Sequence, residues 1–177
     1  GAEFDLKYGT WLRSLVFEYI YTKYQSGPYN HDRTENISDH IAGMDDYYNH
    51  SIYTGWQHWG QVIGNPLYRS PIYNTDNSID VRNNRFYALH LGVEGSPSER
   101  LDYRVLTTYQ KGWGTYSNPF TKAYKNFSFL VEAKYKFNHN WTVKGGYAMD
   151  FGSEKMYGHN AGFQLTVTKS GLLTKKK

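Results

Sequence analysis

The chain has 177 residues, a formal charge of +4, 39% hydrophobic and 20% charged side chains, and no cysteine. This excludes the disordered and fibrous classes, disulfide frameworks and thiolate metal sites. Removing the three terminal lysines, Lys175, Lys176 and Lys177, takes the charge from +4 to +1, too little for a nucleic-acid footprint, so no nucleic-acid partner is expected. Aromatic residues are in excess, with 18 Tyr and 5 Trp against 9 Phe. No apolar run approaches the ~18 residues of a spanning helix, which excludes a transmembrane helix but not a β-barrel.

Seven stretches alternate with period two, and the chain reads as all-β. Residues 2–8 set Phe4, Leu6 and Tyr8 against Glu3, Asp5 and Lys7, and after a Gly9-Thr10 turn residues 11–24 set Leu15, Phe17, Tyr19 and Tyr21 against Ser14, Glu18 and Thr22. Residues 85–95 oppose Tyr87, Leu89, Leu91 and Val93 to His90 and Glu94. Beyond the Ser96–Arg100 turn, residues 101–112 oppose Tyr103, Val105 and Tyr109 to Asp102, Arg104 and Thr108. Residues 126–137, 141–151 and 160–169 repeat the pattern, with Phe127, Phe129, Val131, Trp141, Tyr147, Phe163 and Leu165 on one face and Glu132, Lys134, Lys136 and Lys144 on the other.

Strands this long, aromatic on one face and charged on the other, suit a bilayer crossing, and the aromatics near strand ends suit an interfacial girdle. The expected fold is an antiparallel transmembrane β-barrel in contact with outer-membrane lipid. Short and long connections alternate, as in outer-membrane barrels. An odd strand count whose first strand enters from outside makes the chain the C-terminal part of a larger barrel, completed by upstream strands or another chain. The expected organisation is barrel strands over 1–24, a long extracellular loop over 25–84, and barrel strands over 85–177.

The 25–84 stretch is far longer than a connecting loop, and its tryptophans, tyrosines and turn signals argue for an ordered segment. Its densest part is DDYYNHSIYTGWQHWGQVIGNPL, residues 45–67. Together with FEYIYTKYQSGP (17–28) and GFQLTVTKSGLL (162–173), this loop resembles the Wzi-type capsule-assembly family of outer-membrane proteins. The chain departs from many barrel proteins in its end, where Leu173, Thr174 and three lysines follow the last strand.

The resemblance implies a bacterial outer-membrane barrel with extracellular loops and a periplasmic C-terminus. Its implied function is a non-catalytic lectin that binds capsular or other surface polysaccharide and assists its attachment to the cell surface. The residues offer chemistry for sugars: aromatic faces from Tyr47, Tyr48, Trp56 and Trp59, and hydrogen-bonding groups from Asp46, Gln57, His58, Gln61, Asn65 and Arg69. Against this, Trp56 and Trp59 are more readily the loop's own core, and Gly64-Asn65-Pro66 is most simply a turn. The histidines at 31, 40, 50 and 58 match no zinc spacing, and no metal or cofactor is expected. Competing functions are a channel for polar solutes, from the charged face, and a hydrolase using Asp45, Asp46, His50 and Ser51.

Overall fold

A computed structural model describes residues 1–6, 10–24, 27, 30–31, 40–44, 46–49 and 55–171. Asp45, His50 and Ser51 of the hydrolase reading lie outside the described residues. Eleven strands are described. The long ones are β1 (Ala2–Asp5), β2 (Ser14–Tyr21), β7 (Phe86–Ser98), β8 (Leu101–Gly114), β9 (Pro119–Lys136), β10 (Trp141–Gly152) and β11 (His159–Lys169). Four short strands fall between residues 25 and 84: β3 (Asn30–His31) with β4 (His40–Ala42), and β5 (Gln57–His58) with β6 (Gln61–Val62).

The seven long strands form one antiparallel sheet in the order β1-β2-β7-β8-β9-β10-β11. Because the side-chain period is two, register turns each strand's alternation into rows. One face carries the row Tyr19, Leu89, Tyr109, Phe127 and Phe151, and a second row of Leu15, Val93, Val105, Val131, Tyr147 and Phe163. The opposite face carries Ser14, Glu94, Arg104 and Glu132 in line. There Glu132 bonds Arg104 and lies 2.5 Å from Lys144 Nζ, while Asp102 accepts from Ser96 Oγ at 2.7 Å and pairs with Lys136 at 3.0 Å. The hydrogen bond from Lys144, joined by that from Arg104, holds the Glu132 carboxyl below its usual range.

The expected barrel is corrected by this topology. Six successive antiparallel pairings leave β1 and β11 running in the same direction, so the two ends of the sheet cannot meet as an antiparallel pair, and the described strands form an open sheet. The description of these strands as a closed antiparallel transmembrane β-barrel therefore gives way to an open seven-stranded antiparallel meander. No helix among the described residues is long and apolar enough to cross a membrane. The connections differ as well. Strand β9 begins at Pro119, so the connection from β8 spans only residues 115–118.

The buried core sits where residues 46–49 and 55–84 pack on the charged-parity face of β2 and β7. Tyr68, Val81, Phe86 and Ala88 are buried together, with Ile20, Tyr48, Val62 and Leu67 against them. The Tyr68 ring stacks on Tyr48 at 4.2 Å and meets Phe86 edge-on at 4.9 Å. Thr22 ties the strand ends together, since its hydroxyl donates to Asn84 O at 2.8 Å and accepts from Phe86 N at 2.9 Å. Beside it, Gly112 is required by close approach: a Cβ there would lie 2.3 Å from Asn83 Oδ1, the atom that accepts from Gly114 N.

Phe86 is the largest fully buried side chain at this joint. Phe86→Ala is expected to cost about 3 kcal/mol or more through lost burial and a residual cavity, read as a lowered urea midpoint.

Candidate functional site

A cleft of about 1020 Å³ opens where the docked segment meets the sheet's loop ends. One wall is the segment itself, with Asp46, Arg69, Asp80 and Arg82. The others are the β8–β9 turn, with Asn118, the start of β9, with Phe120, and the β10–β11 connection, with Lys155 and Tyr157.

The segment wall is built on a turn. Pro71–Tyr73 forms a single 3-10 turn with proline at its start, which suits the fixed φ of that residue. The following Asn74 is buried. Its Oδ1 accepts from Arg69 Nη1 at 2.9 Å, while its Nδ2 donates to Asp80 O at 2.9 Å and to Ser78 O at 3.1 Å. Ser78 Oγ accepts from Arg82 Nη2 at 3.0 Å, and Arg82 also bonds Asp76. One carboxamide thus links the anchoring of two guanidiniums. The Ser78 backbone N–H, then Arg82, pull the Asp76 carboxyl down to about 2.

Asp46 and Asp76 are both occupied by hydrogen bonds. Asp46 accepts from the backbone N–H groups of Tyr48 and Asn49 at 3.2 and 3.1 Å and from Asn49 Nδ2 at 3.0 Å. Arg69 differs. Its hydrogen bonds run to neutral acceptors, Asn74 Oδ1 and Tyr73 O. Burial, and then the like charge of Arg82, lower the Arg69 guanidinium's affinity for its proton, although an arginine remains charged. Opposite, the Tyr157 hydroxyl donates to Pro66 O at 3.1 Å and is pushed up by burial.

The residues expected from the sequence to touch ligand divide into three groups. Asp46 and Arg69 line the cleft. Tyr48, Gln57 and Asn65 hold the segment together: Tyr48 stacks on Tyr68, Gln57 Nε2 donates to Tyr48 O and Ile79 O at 3.0 and 2.9 Å, and Asn65 Oδ1 accepts from Leu67 N at 2.9 Å. Tyr47, Trp56, His58, Trp59 and Gln61 are exposed. The expectation that the tryptophans form a loop core is not met. Trp56 is 59% and Trp59 87% exposed, the latter at the β5–β6 turn with φ of 50° and His58 edge-on beside it.

Sequence reasoning missed Asn74, Arg82, Lys155 and Tyr157. The run Asn74-Thr75-Asp76-Asn77-Ser78 carried a usable signal, because side chains of this kind bond their own backbone in tight turns. Nothing local connected it to Arg69 or to the 153–158 connection. Among the described residues, no three His, Asp or Glu side chains gather as metal ligands.

No protein-family model matches the chain, and neither does any curated protein or solved structure. The Wzi-type resemblance is corrected accordingly: the segment that carried it is a docked hairpin and turn on an open sheet, and no family match supports it. The Gram-negative outer-membrane location and the capsule-binding, cell-surface lectin function rested on that resemblance and on the transmembrane barrel read from strand length and alternation. They lose their basis with them.

The Asp76 shift has a definite sign. Its folded carboxyl lies below the unfolded value of about 3.9, so its contribution to stability is complete above about pH 4 and disappears as pH falls through about 2. In a carboxyl NMR titration, Arg82→Gln is expected to raise the Asp76 midpoint only part of the way to 3.9, because the Ser78 N–H remains. A full return would assign the whole shift to Arg82.

Proposed function

We propose that this protein is a non-catalytic receptor for a small polar ligand with an anionic head, such as a carboxylate or phosphate, held in the cleft by Arg69. One observation carries the reading: Arg69 stands in a polar cleft bonded only to neutral acceptors, with a second guanidinium, Arg82, close enough to act on its charge. Arg82 is paired with Asp76 and Asp46 accepts from three N–H donors, and Asp80, Glu154 and Lys155 also border the cleft; of the two guanidiniums there, Arg69 is the one held by neutral acceptors. A guanidinium fork pre-positioned by a buried amide needs little reordering to receive two oxygens.

The lining chemistry favours binding over turnover. The Tyr157 hydroxyl is committed to a backbone carbonyl, and its partial burial disfavours deprotonation.

Inorganic phosphate and citrate are the probes, with glucose as the uncharged control, followed by isothermal titration calorimetry. Saturable binding of an anionic probe is expected, weakening with added salt. Arg69→Gln should weaken it about ten-fold or more, equivalent to about 1.4 kcal/mol, while Arg69→Lys keeps part of it, with unchanged circular dichroism in both variants. Equal affinity in Arg69→Gln, or no anion binding at all, would overturn the reading.

A further inference from the structure

The two edges of the sheet are unlike. Strand β1 spans four residues, Ala2–Asp5, and carries Glu3 and Asp5, the short and charged design that discourages pairing with another chain. Strand β11 spans eleven, His159–Lys169, and every one is exposed. Between its ends, residues 160–168 read Asn-Ala-Gly-Phe-Gln-Leu-Thr-Val-Thr, with no charge and no proline. Among the described strands, a long edge without charge or proline is a template for strand addition.

The backbone groups open at that edge follow from the neighbouring ladder. Ser170 N donates to Asn140 O at 3.0 Å, and on the other side of β10 Phe137 N donates to Trp141 O at 2.8 Å. In an antiparallel ladder, residues alternate between bonding one neighbour and bonding the other. The unbroken β10–β11 register therefore assigns the even residues of β11 to β10. Ala161, Phe163, Leu165 and Val167 direct their N–H and C=O groups to the free edge.

We propose that β11 pairs antiparallel with β11 of a second copy of this chain, across a two-fold axis at Gln164, joining two seven-stranded sheets edge to edge. The sequence of β11 is complementary to itself in this register. On the aromatic face Phe163 lies opposite Leu165 and Ala161 opposite Val167. On the other, Asn160 lies opposite Thr168, Gly162 opposite Thr166 and Gln164 opposite itself. Apolar meets apolar, polar meets polar, and no charge enters the nine-residue pairing. The odd residues exchange backbone bonds, which makes Gln164 a non-hydrogen-bonded pair with its symmetry mate.

That last feature gives a clean test, since the chain contains no cysteine. A non-hydrogen-bonded antiparallel pair sets its Cα atoms about 4.5 Å apart, within reach of a disulfide. Two copies of Thr168 would be separated by eight residues of strand, about 27 Å. Mild oxidation of the full-length Gln164→Cys variant is expected to give a single disulfide-linked dimer, at least ten-fold more than Thr168→Cys gives. Sedimentation velocity of the unaltered protein should show a dimer. Leu165→Pro removes an edge N–H that β10 does not use and should give a monomer with unchanged circular dichroism. Leu165→Lys is the second variant should proline perturb the fold. A monomeric unaltered protein, equal cross-linking of the two cysteine variants, or a dimer that survives both Leu165 substitutions would overturn the proposal.

Discussion

The packing of Tyr68 between Tyr48, face to face, and Phe86, edge-on, is the contact on which the docking of the long segment depends. It is where the long segment between β2 and β7 stops being a connection and becomes part of a second layer. Burial there is deep enough to push the Tyr68 hydroxyl up to about 12. Asp46 and Arg69 stand on either side of this contact in the chain, and the cleft exists because the segment is anchored beneath them.

The joint is small and partly polar. Gln110 is buried within it and donates to Leu67 O at 2.9 Å, and the Asn49 carboxamide donates from Nδ2 to Val81 O at 2.8 Å and accepts at Oδ1 from Val81 N at 2.7 Å. Such bonds are directional where apolar packing is not. They set the orientation of the segment on the sheet, while Phe86, Val81 and Ala88 supply the burial that holds it. The Asn74 carboxamide performs the same task for the cleft wall, fixing Arg69 and joining the turn that places Arg82.

Much of the sheet was legible in the sequence because the strand signal is local. The alternation of Phe127, Phe129 and Val131 against Ser128, Leu130 and Glu132 states which side chains share a face, and pairing preserves it row by row. Strand ends were less legible: Pro119–Asn126 continues β9 although its alternation is blurred by Lys122, Ala123 and Lys125. The candidate site was legible only in part. Asp46 and Arg69 were selected for their chemistry and do line the cleft, whereas Trp56 and Trp59, read as sugar-stacking faces or as a loop core, stand exposed, Trp56 just before β5 and Trp59 on the β5–β6 turn. Hydrophobic character predicts burial only where a partner surface is within reach, and β5–β6 carries its tryptophans away from the one that Tyr68 uses.

The amino-acid sequence by itself determined the period-two strands, their two chemically distinct faces, and where the alternation breaks off between β2 and β7. Each follows from neighbours a few positions apart. Only the tertiary structure decided that the sheet remains open, which residues of the segment meet the sheet, and that Arg69, Arg82 and Tyr157 border one cleft. Closure depends on strand number and direction summed across the whole sheet, and the cleft on contacts spanning some ninety residues, such as Tyr157 with Pro66. Neither quantity is written in any local window of the chain.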